Sequence, residues 1–254
     1  MYLLNLIFMK KCSNTCCKRF YNVKNWLVER CGDFLDLFYP RLCIGCGEIL
    51  NKHEQDLCLA CLMQLPVISE SKLIENFIEE RFYGRVKIEE AISYLYYEKE
   101  TMSQHILHEI KYHGGKELGY RLGKMFGEHV RRSWFQHVDA LVPVPLHSNR
   151  LKQRGYNQSE WIARGMADEL KVPVWTDILE RSVENPTQTK KNAIERWENV
   201  RGIFQLKCKR DIEGKHLVIV DDVMTTGSTI EACVLPLSTV KDIKISVATL
   251  AVVD

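Results

Sequence analysis

Short apolar runs alternate with amphipathic stretches along the second half of the chain. The apolar runs have the length of buried strands, and the amphipathic stretches repeat their apolar positions with the period of an α-helix. We predict strands over 140–145, 172–179, 216–220 and 244–253, and helices over 159–170 and 228–240. Pro236 is expected to kink or shorten the last helix, because proline lacks an amide N–H. Strands that alternate with helices indicate an α/β fold, a parallel sheet with helices on both faces.

The first half of the chain has a different organisation. Its periodic and β-branched stretches predict helices over 26–39, 101–112 and 115–131 and a strand over 85–97. Pro40 ends the first helix, Gly114 marks the break between the other two, and a cysteine-rich segment extends to about residue 66. We therefore expect a module of helix and cysteine-rich segment at 26–66 and an α/β domain at 85–254.

Composition and charge narrow the class of protein. Of the 254 residues, 46% are hydrophobic and 27% are charged, which is typical of a globular protein with a buried core. The formal net charge is +2, so the molecule as a whole lacks the strong positive charge of proteins that bind nucleic acid or membranes by net charge alone.

The amino-terminal residues 1–25 contain lysines and an arginine but no acidic residue. The apolar run at 1–9 is too short to span a bilayer. Lys10 and Lys11 follow this run, whereas the charges of a secretory signal precede its apolar part. We therefore expect no membrane insertion and a cytoplasmic location, where thiols stay reduced. The favoured interpretation of residues 1–25 is a disordered extension, and the alternative is a basic tail that contacts nucleic acid or an anionic surface.

Four cysteines form two pairs of the CxxC type. Cys43 and Cys46 precede Cys58 and Cys61, and two such tight turns can present four thiolates to one tetrahedral Zn²⁺. A site with four cysteine ligands has no open coordination position, so the zinc would be structural. Four buried free cysteines or a redox pair are the alternatives, and His53 is a rival ligand between the two pairs.

The segment VIVDDVMTTGST, residues 218–229, places two aspartates and a run of hydroxyl residues directly after an apolar strand. A glycine-containing turn that opens a helix presents free backbone N–H groups and the positive end of the helix dipole to an anion. The segment lacks the GK[ST] signature of a Walker loop and the glycine pattern of a dinucleotide fingerprint. A phosphate group is therefore predicted to bind at Thr225, Thr226, Gly227, Ser228 and Thr229.

Asp221 and Asp222 stand beside this predicted phosphate site. Carboxylate oxygens accept charge-assisted hydrogen bonds from vicinal hydroxyls, and they bind Mg²⁺ directly or through water. A phosphate, a sugar diol and a magnesium ion together indicate a phosphorylated ribose as the ligand. The alternative is an ordinary helix cap, although a cap needs fewer polar residues than this segment has.

Residues 218–229 resemble the motif with which type I phosphoribosyltransferases bind phosphoribosyl pyrophosphate (PRPP). Further stretches, in the same order along the chain, resemble the ComF family of ComFC-like competence proteins. They are FYPRLCIGCG at the first cysteine pair, IKYHGGKELG, LVPVPLHSNRLKQRGYNQSEWIA and RSVENPTQTKKNAIERWENVRGIF. Together they cover about residues 38–253. The resemblance implies a parallel-sheet type I phosphoribosyltransferase fold preceded by a small four-cysteine zinc ribbon.

The resemblance also implies roles for individual residues. Asp221 and Asp222 would bind the ribose hydroxyls, and residues 225–229 would hold the 5′-phosphate. Arg154 would act with the two aspartates in catalysis. The stretch similar to the pyrophosphate loop contains Leu146, His147 and Arg150. Residues 181–204 resemble a flexible segment that closes over the active site, which we call the hood, with candidate contacts at Arg181, Gln188, Arg196 and Asn199. A solvated basic turn and surface salt bridges are the alternatives for these cations.

The function that the resemblance implies is phosphoribosyl transfer from PRPP with Mg²⁺, in a protein that takes part in DNA uptake during natural transformation with other competence proteins. The second hypothesis is a non-catalytic sensor of PRPP or of a nucleotide, whose zinc module binds a protein or single-stranded DNA, because a fold does not prove an activity. Direct DNA binding by the zinc segment is disfavoured, since Arg41 and Lys52 face three acidic residues within 41–66. Neither the acceptor nor the oligomeric state follows from the sequence.

Overall fold

A computed structural model describes residues 39–69, 71–72, 77–131, 135, 137–182, 202–207 and 210–253. The extension predicted at 1–25 lies outside these residues, as does the helix predicted over 26–39 except for its last residue. The described chain divides into a small unit, residues 39–43 with 47–58, and a large unit, residues 44–46 with 59–253.

The large unit is built on a four-stranded parallel sheet, with a separate antiparallel pair of strands. The strands in chain order are β1 (Ala91–Tyr97), β2 (Ala140–Pro143), β3 (Leu179–Arg181), β4 (Phe204–Leu206), β5 (His216–Met224) and β6 (Lys244–Val253). The parallel sheet has the order β1-β6-β5-β2, and β3 pairs with β4. The predicted parallel sheet is thereby confirmed.

Six α-helices and one 3₁₀ helix belong to the described part of the large unit. The α-helices are α1 (Leu59–Met63), α2 (Met102–Tyr112), α3 (Lys116–Val130), α4 (Ser148–Arg154), α5 (Gln158–Leu170) and α6 (Ser228–Leu237), and the 3₁₀ helix is Glu79–Phe82. Helix α6 ends one residue after Pro236, which is the shortening expected of a proline near its end. Across the described residues, each helix falls short of the length and apolar character needed to cross a membrane.

The two central strands lie in the core of the large unit. Leu217, Val218, Ile219 and Val220 of β5 are fully buried, and most of β6 is buried as well. Strands that are covered on both faces read as continuous apolar runs, which explains why these two strands were evident in the sequence. The core fixes the carboxyl end of β5, where the two aspartates lie.

Helices α3 and α5 approach each other so closely that glycine is required between them. A Cβ atom at Gly123 would lie 2.2 Å from the carbonyl oxygen of Ile162, and one at Gly165 would lie 2.0 Å from that of Tyr120. Both distances are far below van der Waals contact with backbone atoms that cannot move independently. The contact fixes α5, and the first turn of α5 carries Ser159, a partner of the candidate site.

The small unit is held by backbone contacts around one arginine. Arg41 donates to the carbonyl oxygens of Glu54 (2.9 Å) and Asn51 (3.1 Å), and Leu42 forms an antiparallel bridge with Ile49. These bonds connect the two ends of the turn that follows the first cysteine.

Several boundaries differ from the sequence prediction for identifiable reasons. The strand predicted over 85–97 begins only at Ala91, because the preceding residues form the 3₁₀ helix and a loop. The strand predicted over 172–179 is reduced to a bridge between Val174 and Leu141, and β3 follows it. Strand β5 continues to Met224, through the two aspartates, because β6 supplies pairing partners as far as Val252.

Candidate functional site

The four cysteines of the two CxxC pairs come together. The Sγ atoms of Cys43, Cys46, Cys58 and Cys61 all lie within 4.8 Å of one another. Cys43 Sγ accepts a hydrogen bond from the backbone N–H of Cys58 over 3.2 Å, the kind of bond that stabilises a metal-bound thiolate. Four thiolates at this spacing fit tetrahedral Zn²⁺, so the structure supports the predicted structural zinc. The rival ligand His53 is exposed and does not belong to the group.

The two aspartates lie within the carboxyl-terminal part of β5, whereas the sequence placed them directly after the strand. Asp221 is 7% exposed and Asp222 is 5% exposed. Asp221 Oδ1 accepts hydrogen bonds from Ser159 Oγ (3.0 Å) and from the backbone N–H of Asp222 (2.9 Å). Asp222 Oδ2 lies 2.8 Å from Nζ of Lys111, the last cation of α2. The pair is therefore buried and held in place by groups from three different elements.

The surroundings of Asp221 disfavour its negative charge. Burial, and then the neighbouring charge of Asp222, raise the pKa of Asp221 to about 8, against the opposing hydrogen bonds and the charge of Lys111. A carboxyl group whose pKa is raised by burial and by a specific charged neighbour is an indicator of a functional site. The positive charge of Lys111 does not offset the burial of Asp221 and the negative charge of Asp222. A bound cation or a set of hydroxyl donors would therefore stabilise the ionised carboxylate.

The predicted phosphate loop ends in a left-handed glycine at the start of a helix. Gly227 has φ +76°, in the left-handed region, and it is the residue before the first turn of α6. The first hydrogen bond of the helix runs from Glu231 N to Gly227 O, so the amides of Ser228 and Thr229 have no partner within the helix. The side chains of Thr225, Thr226, Ser228 and Thr229 are exposed.

Two arginines beside this loop were missed by the sequence analysis. Arg81 belongs to the 3₁₀ helix, and it donates to the carbonyl oxygens of Thr225 and Val253. Arg85 follows the 3₁₀ helix and donates to the carbonyl oxygen of Thr226 over 2.7 Å. The only sequence signal was the spacing of two arginines within ERFYGR, which is too common to indicate a site.

The stretch similar to a pyrophosphate loop is a loop only at its beginning. Leu146 and His147 are non-helical, but Arg150 lies on α4, so the expectation of a loop over 146–150 is wrong from Ser148 onwards. The turn becomes helical because His147 caps it: its Nδ1 accepts from the backbone N–H of Asn149 over 3.3 Å.

A pocket of about 340 Å³ opens between α4 and the end of α2. It is lined by Lys111, Tyr112, Gly114, Arg150, Gln153 and Arg154. The guanidinium of Arg154 lies 5.4 Å from the ring centre of Tyr112 and donates to Gln158 Oε1. The Tyr156 hydroxyl donates to the carbonyl oxygen of Ile110, which ties the α4–α5 junction to α2. Three cations thus surround one pocket whose lysine also contacts Asp222.

Of the four hood residues, the structure describes only Arg181; Gln188, Arg196 and Asn199 lie outside the described residues. Arg181 ends β3, and its guanidinium lies 5.4 Å from the ring centre of Phe204. Burial, and then the charge of Arg150, lower the pKa of Arg181, while Asp221 acts in the opposite direction. Arg181 is therefore within electrostatic reach of both Asp221 and Arg150 of α4.

Comparison with protein families gives two matches. Residues 157–252 match the phosphoribosyl transferase domain family, and residues 34–72 match the double zinc ribbon domain family. The first match covers α5, the aspartates and the phosphate loop. The second covers all four cysteines.

Comparison with individual proteins gives relatives named for competence and DNA use. The chain is 27% identical over 216 residues to competence protein F of Haemophilus influenzae, covering 82% of each chain. It is 24% identical to competence protein ComFC of Bacillus subtilis, covering 75% of each. It is 33% identical over 129 residues to the DNA utilization protein YhgH of Salmonella typhimurium, a match that spans 49% of this chain and only 56% of that protein.

Among solved structures, a hypoxanthine phosphoribosyltransferase from Staphylococcus aureus is similar. The likeness covers 54% of this chain and 64% of that one, with 15% identity and a TM-score of 0.36. A similarity of this size says nothing about substrate.

Proposed function

Because the chain belongs to the ComF-like family, with a phosphoribosyltransferase domain and an amino-terminal zinc ribbon, we propose that it binds PRPP at the carboxyl end of β5. The observation that carries the proposal is the juxtaposition of two buried aspartates with a glycine-containing turn at a helix amino terminus. Asp221 and Asp222 would accept hydrogen bonds from the ribose hydroxyls. The backbone amides of the phosphate loop would bind the 5′-phosphate.

Mg²⁺ fits this site by the chemistry of its donors. Carboxylate oxygens are ligands that Mg²⁺ takes, and the raised pKa of Asp221 indicates a carboxyl group whose negative charge its surroundings do not balance. When bound, Mg²⁺ would supply positive charge to the pyrophosphate of PRPP. Asp221 and Asp222 are the residues of this chain that would hold it, directly or through water.

The cations of α4 would stabilise the departing pyrophosphate. Transfer breaks the bond between ribose C1 and the pyrophosphate oxygen, so negative charge grows on the leaving group while positive charge grows on the sugar. Arg150 and Arg154 line the pocket beside Lys111, and Arg181 lies close enough to Arg150 for the charge of Arg150 to disfavour that of Arg181. An anion between these cations would relieve that repulsion. Arg154 is the catalytic cation in this proposal, with Leu146 and His147 forming the loop ahead of it.

The cellular role that we propose is DNA uptake in natural transformation, with other competence proteins and single-stranded DNA as partners and with a cytoplasmic location. The support for this role comes from the relatives named for competence and DNA use. The alternative remains a sensor that binds PRPP without transfer. An enzyme needs the α4 cations and the hood as well as the phosphate loop, and the influence of the charges of Arg150 and Asp221 on Arg181 supports a hood role for that residue. This favours an enzyme, with an acceptor still to be identified.

Binding is tested by isothermal titration with PRPP in the presence of Mg²⁺. The wild type should bind, and the double variant Asp221→Asn, Asp222→Asn should lose most of the affinity, because a neutral amide cannot accept charge-assisted bonds from the diol or hold Mg²⁺. The matched control is Asp139→Asn. Asp139 accepts a hydrogen bond from the backbone N–H of His216, the first residue of β5, and this variant should bind PRPP as the wild type does. Equal PRPP affinity in all three proteins would refute the proposed site.

Catalysis is tested separately by pyrophosphate release with a panel of nucleobases. Release that depends on one base, and that is lost in Arg154→Gln, would establish an enzyme and identify its acceptor class. Tight PRPP binding without release for any base would instead favour the sensor.

A further inference from the structure

Arg81 and Arg85 contact the back of the phosphate loop through two successive peptide groups. Arg81 donates to the carbonyl oxygen of Thr225, and Arg85 donates to that of Thr226 over 2.7 Å. Both arginines come from the same short segment. Arg85 also donates to the carbonyl oxygen of Arg81 over 2.9 Å, which ties the two residues together. The loop therefore has two neighbouring carbonyls bound on one side by cations.

The direction of these carbonyls determines the direction of the loop amides. In a trans peptide, the C=O of one residue and the N–H of the next point in opposite directions, and every peptide bond among the described residues is trans. With the Thr225 and Thr226 oxygens on the arginines, the N–H groups of Thr226 and Gly227 point to the opposite side of the loop. Those two N–H groups lie immediately ahead of the amides at the start of α6.

The same segment also fixes the position of the loop. The ring of Phe82, which is fully buried, would lie 3.0 Å from a Cβ atom at Gly227, so it packs directly on the glycine. Arg85 pairs with Glu231 of α6 and lies 3.4 Å from Ser228 Oγ. Glu231 is 8% exposed and near the start of α6, where an unpaired negative charge would repel a phosphate.

We propose that Arg81 and Arg85 are positioning residues for the 5′-phosphate of PRPP. They orient the peptide groups of the phosphate loop so that consecutive N–H groups converge on the anion, and Arg85 neutralises Glu231 behind them. This inference rests on the proposed function, because it concerns the phosphate end of the same ligand. Neither arginine needs to touch the phosphate, which distinguishes them from the cations of α4.

The test compares binding of two probes, ribose 5-phosphate and inorganic pyrophosphate, each with Mg²⁺. The variants are Arg85→Gln, Arg85→Lys and the double variant Arg85→Gln, Glu231→Gln. The double variant matters because it leaves no unpaired buried carboxylate, so its folding is safeguarded and its net charge equals that of the wild type. Arg150→Gln serves as the control for the pyrophosphate end.

We expect ribose 5-phosphate to bind at least about tenfold more weakly to the double variant, because a loop N–H that is no longer oriented by Arg85 loses its charge-assisted hydrogen bond to the phosphate. Pyrophosphate should bind within about twofold of the wild type. Arg150→Gln should show the reverse pattern. Arg85→Lys should also lose affinity for ribose 5-phosphate, because an ammonium keeps the charge but cannot reproduce the planar fork of donors.

The inference would be overturned if the double variant bound ribose 5-phosphate like the wild type, since Arg85 would then serve only to neutralise Glu231. An equal loss for both probes would overturn it too, because a general disturbance of the fold would explain that pattern. A wild type that binds neither probe nor PRPP would refute the proposed function itself, which separates the two failures.

Discussion

Replacing Asp221 by asparagine should stabilise the ligand-free protein. The carboxyl group is 7% exposed, and burial raises its pKa to about 8, whereas in the unfolded chain it has the ordinary value near 3.8. Between these two values the folded state binds more protons than the unfolded state. The free energy of unfolding of the wild type therefore falls as the pH rises from about 4 to about 8. Asparagine has no such cost and keeps an oxygen that accepts from Ser159 and from the Asp222 amide.

The expected gain follows from the burial of the charge. A tenfold change in acidity corresponds to about 1.4 kcal/mol, so the displaced pKa sets an upper limit of several kcal/mol. The charge of Lys111 and the retained hydrogen bonds reduce this, and we expect about 1–3 kcal/mol at neutral pH, because asparagine removes the cost of ionising a buried carboxyl group. For a chain of this size that is a rise in Tm of roughly 2–10 °C.

The assay is chemical or thermal unfolding of the ligand-free protein at about pH 5 and about pH 8, wild type beside Asp221→Asn. Asp139→Asn is the control with the opposite sign. Asp139 accepts from the His216 amide (2.8 Å) and from Lys215 (2.9 Å), and these bonds lower its pKa, so its carboxylate stabilises the fold above the ordinary pKa. A stability gain that is absent, or that does not grow between the two pH values, would refute the reasoning about Asp221.

Two further predictions concern the framework of the molecule. Gly123→Ala should destabilise the fold by at least about 2 kcal/mol, because its Cβ would lie 2.2 Å from the Ile162 carbonyl oxygen and overpack a rigid contact. Gly119→Ala on the same helix is the control: its Cβ would lie 3.6 Å from the nearest side-chain atom, and the variant should gain up to about 1 kcal/mol from helix propensity. Equal effects of the two variants in urea unfolding would contradict the close approach of the helices. Cys61→Ser should lose bound zinc in an elemental assay while Cys233→Ala, a buried thiol outside the cluster, should retain it; zinc retained by both would exclude the four-cysteine site.

The features that sequence reasoning identified are those whose chemistry is local. The members of each cysteine pair are three residues apart, and the aspartates and the loop 225–229 follow one another directly, so the spacing within each motif indicates its local geometry. The central strands were evident for a related reason, since a strand covered on both faces must be apolar at every position.

The features that were missed depend on distant pairing. Arg81 lies 144 residues from Thr225 in sequence, and the two meet only because the segment before β1 is folded over the end of β5. The helical start at Ser148 depends on a cap from His147, a residue that is not a common cap. The aspartates lie within β5 rather than after it because β6 continues to pair beyond them, and a single strand's sequence does not contain its partner's length.

The close contact between α3 and α5 was missed for another reason. Glycines within a helical pattern lower confidence in the helix unless a partner backbone is known to approach them. The reason for Gly123 and Gly165 is evident only in the folded structure, where each glycine faces the backbone of the other helix.

The most direct test of PRPP binding at Asp221–Thr229 is a crystal structure of the protein with Mg²⁺ and PRPP. We predict that the 5′-phosphate lies on the backbone amides of residues 226–229 and that the ribose hydroxyls lie on Asp221 and Asp222, with the pyrophosphate directed towards Arg150. PRPP bound elsewhere on the protein, with the ion pair between Asp222 and Lys111 unchanged and the loop amides without an anion, would contradict the proposed site.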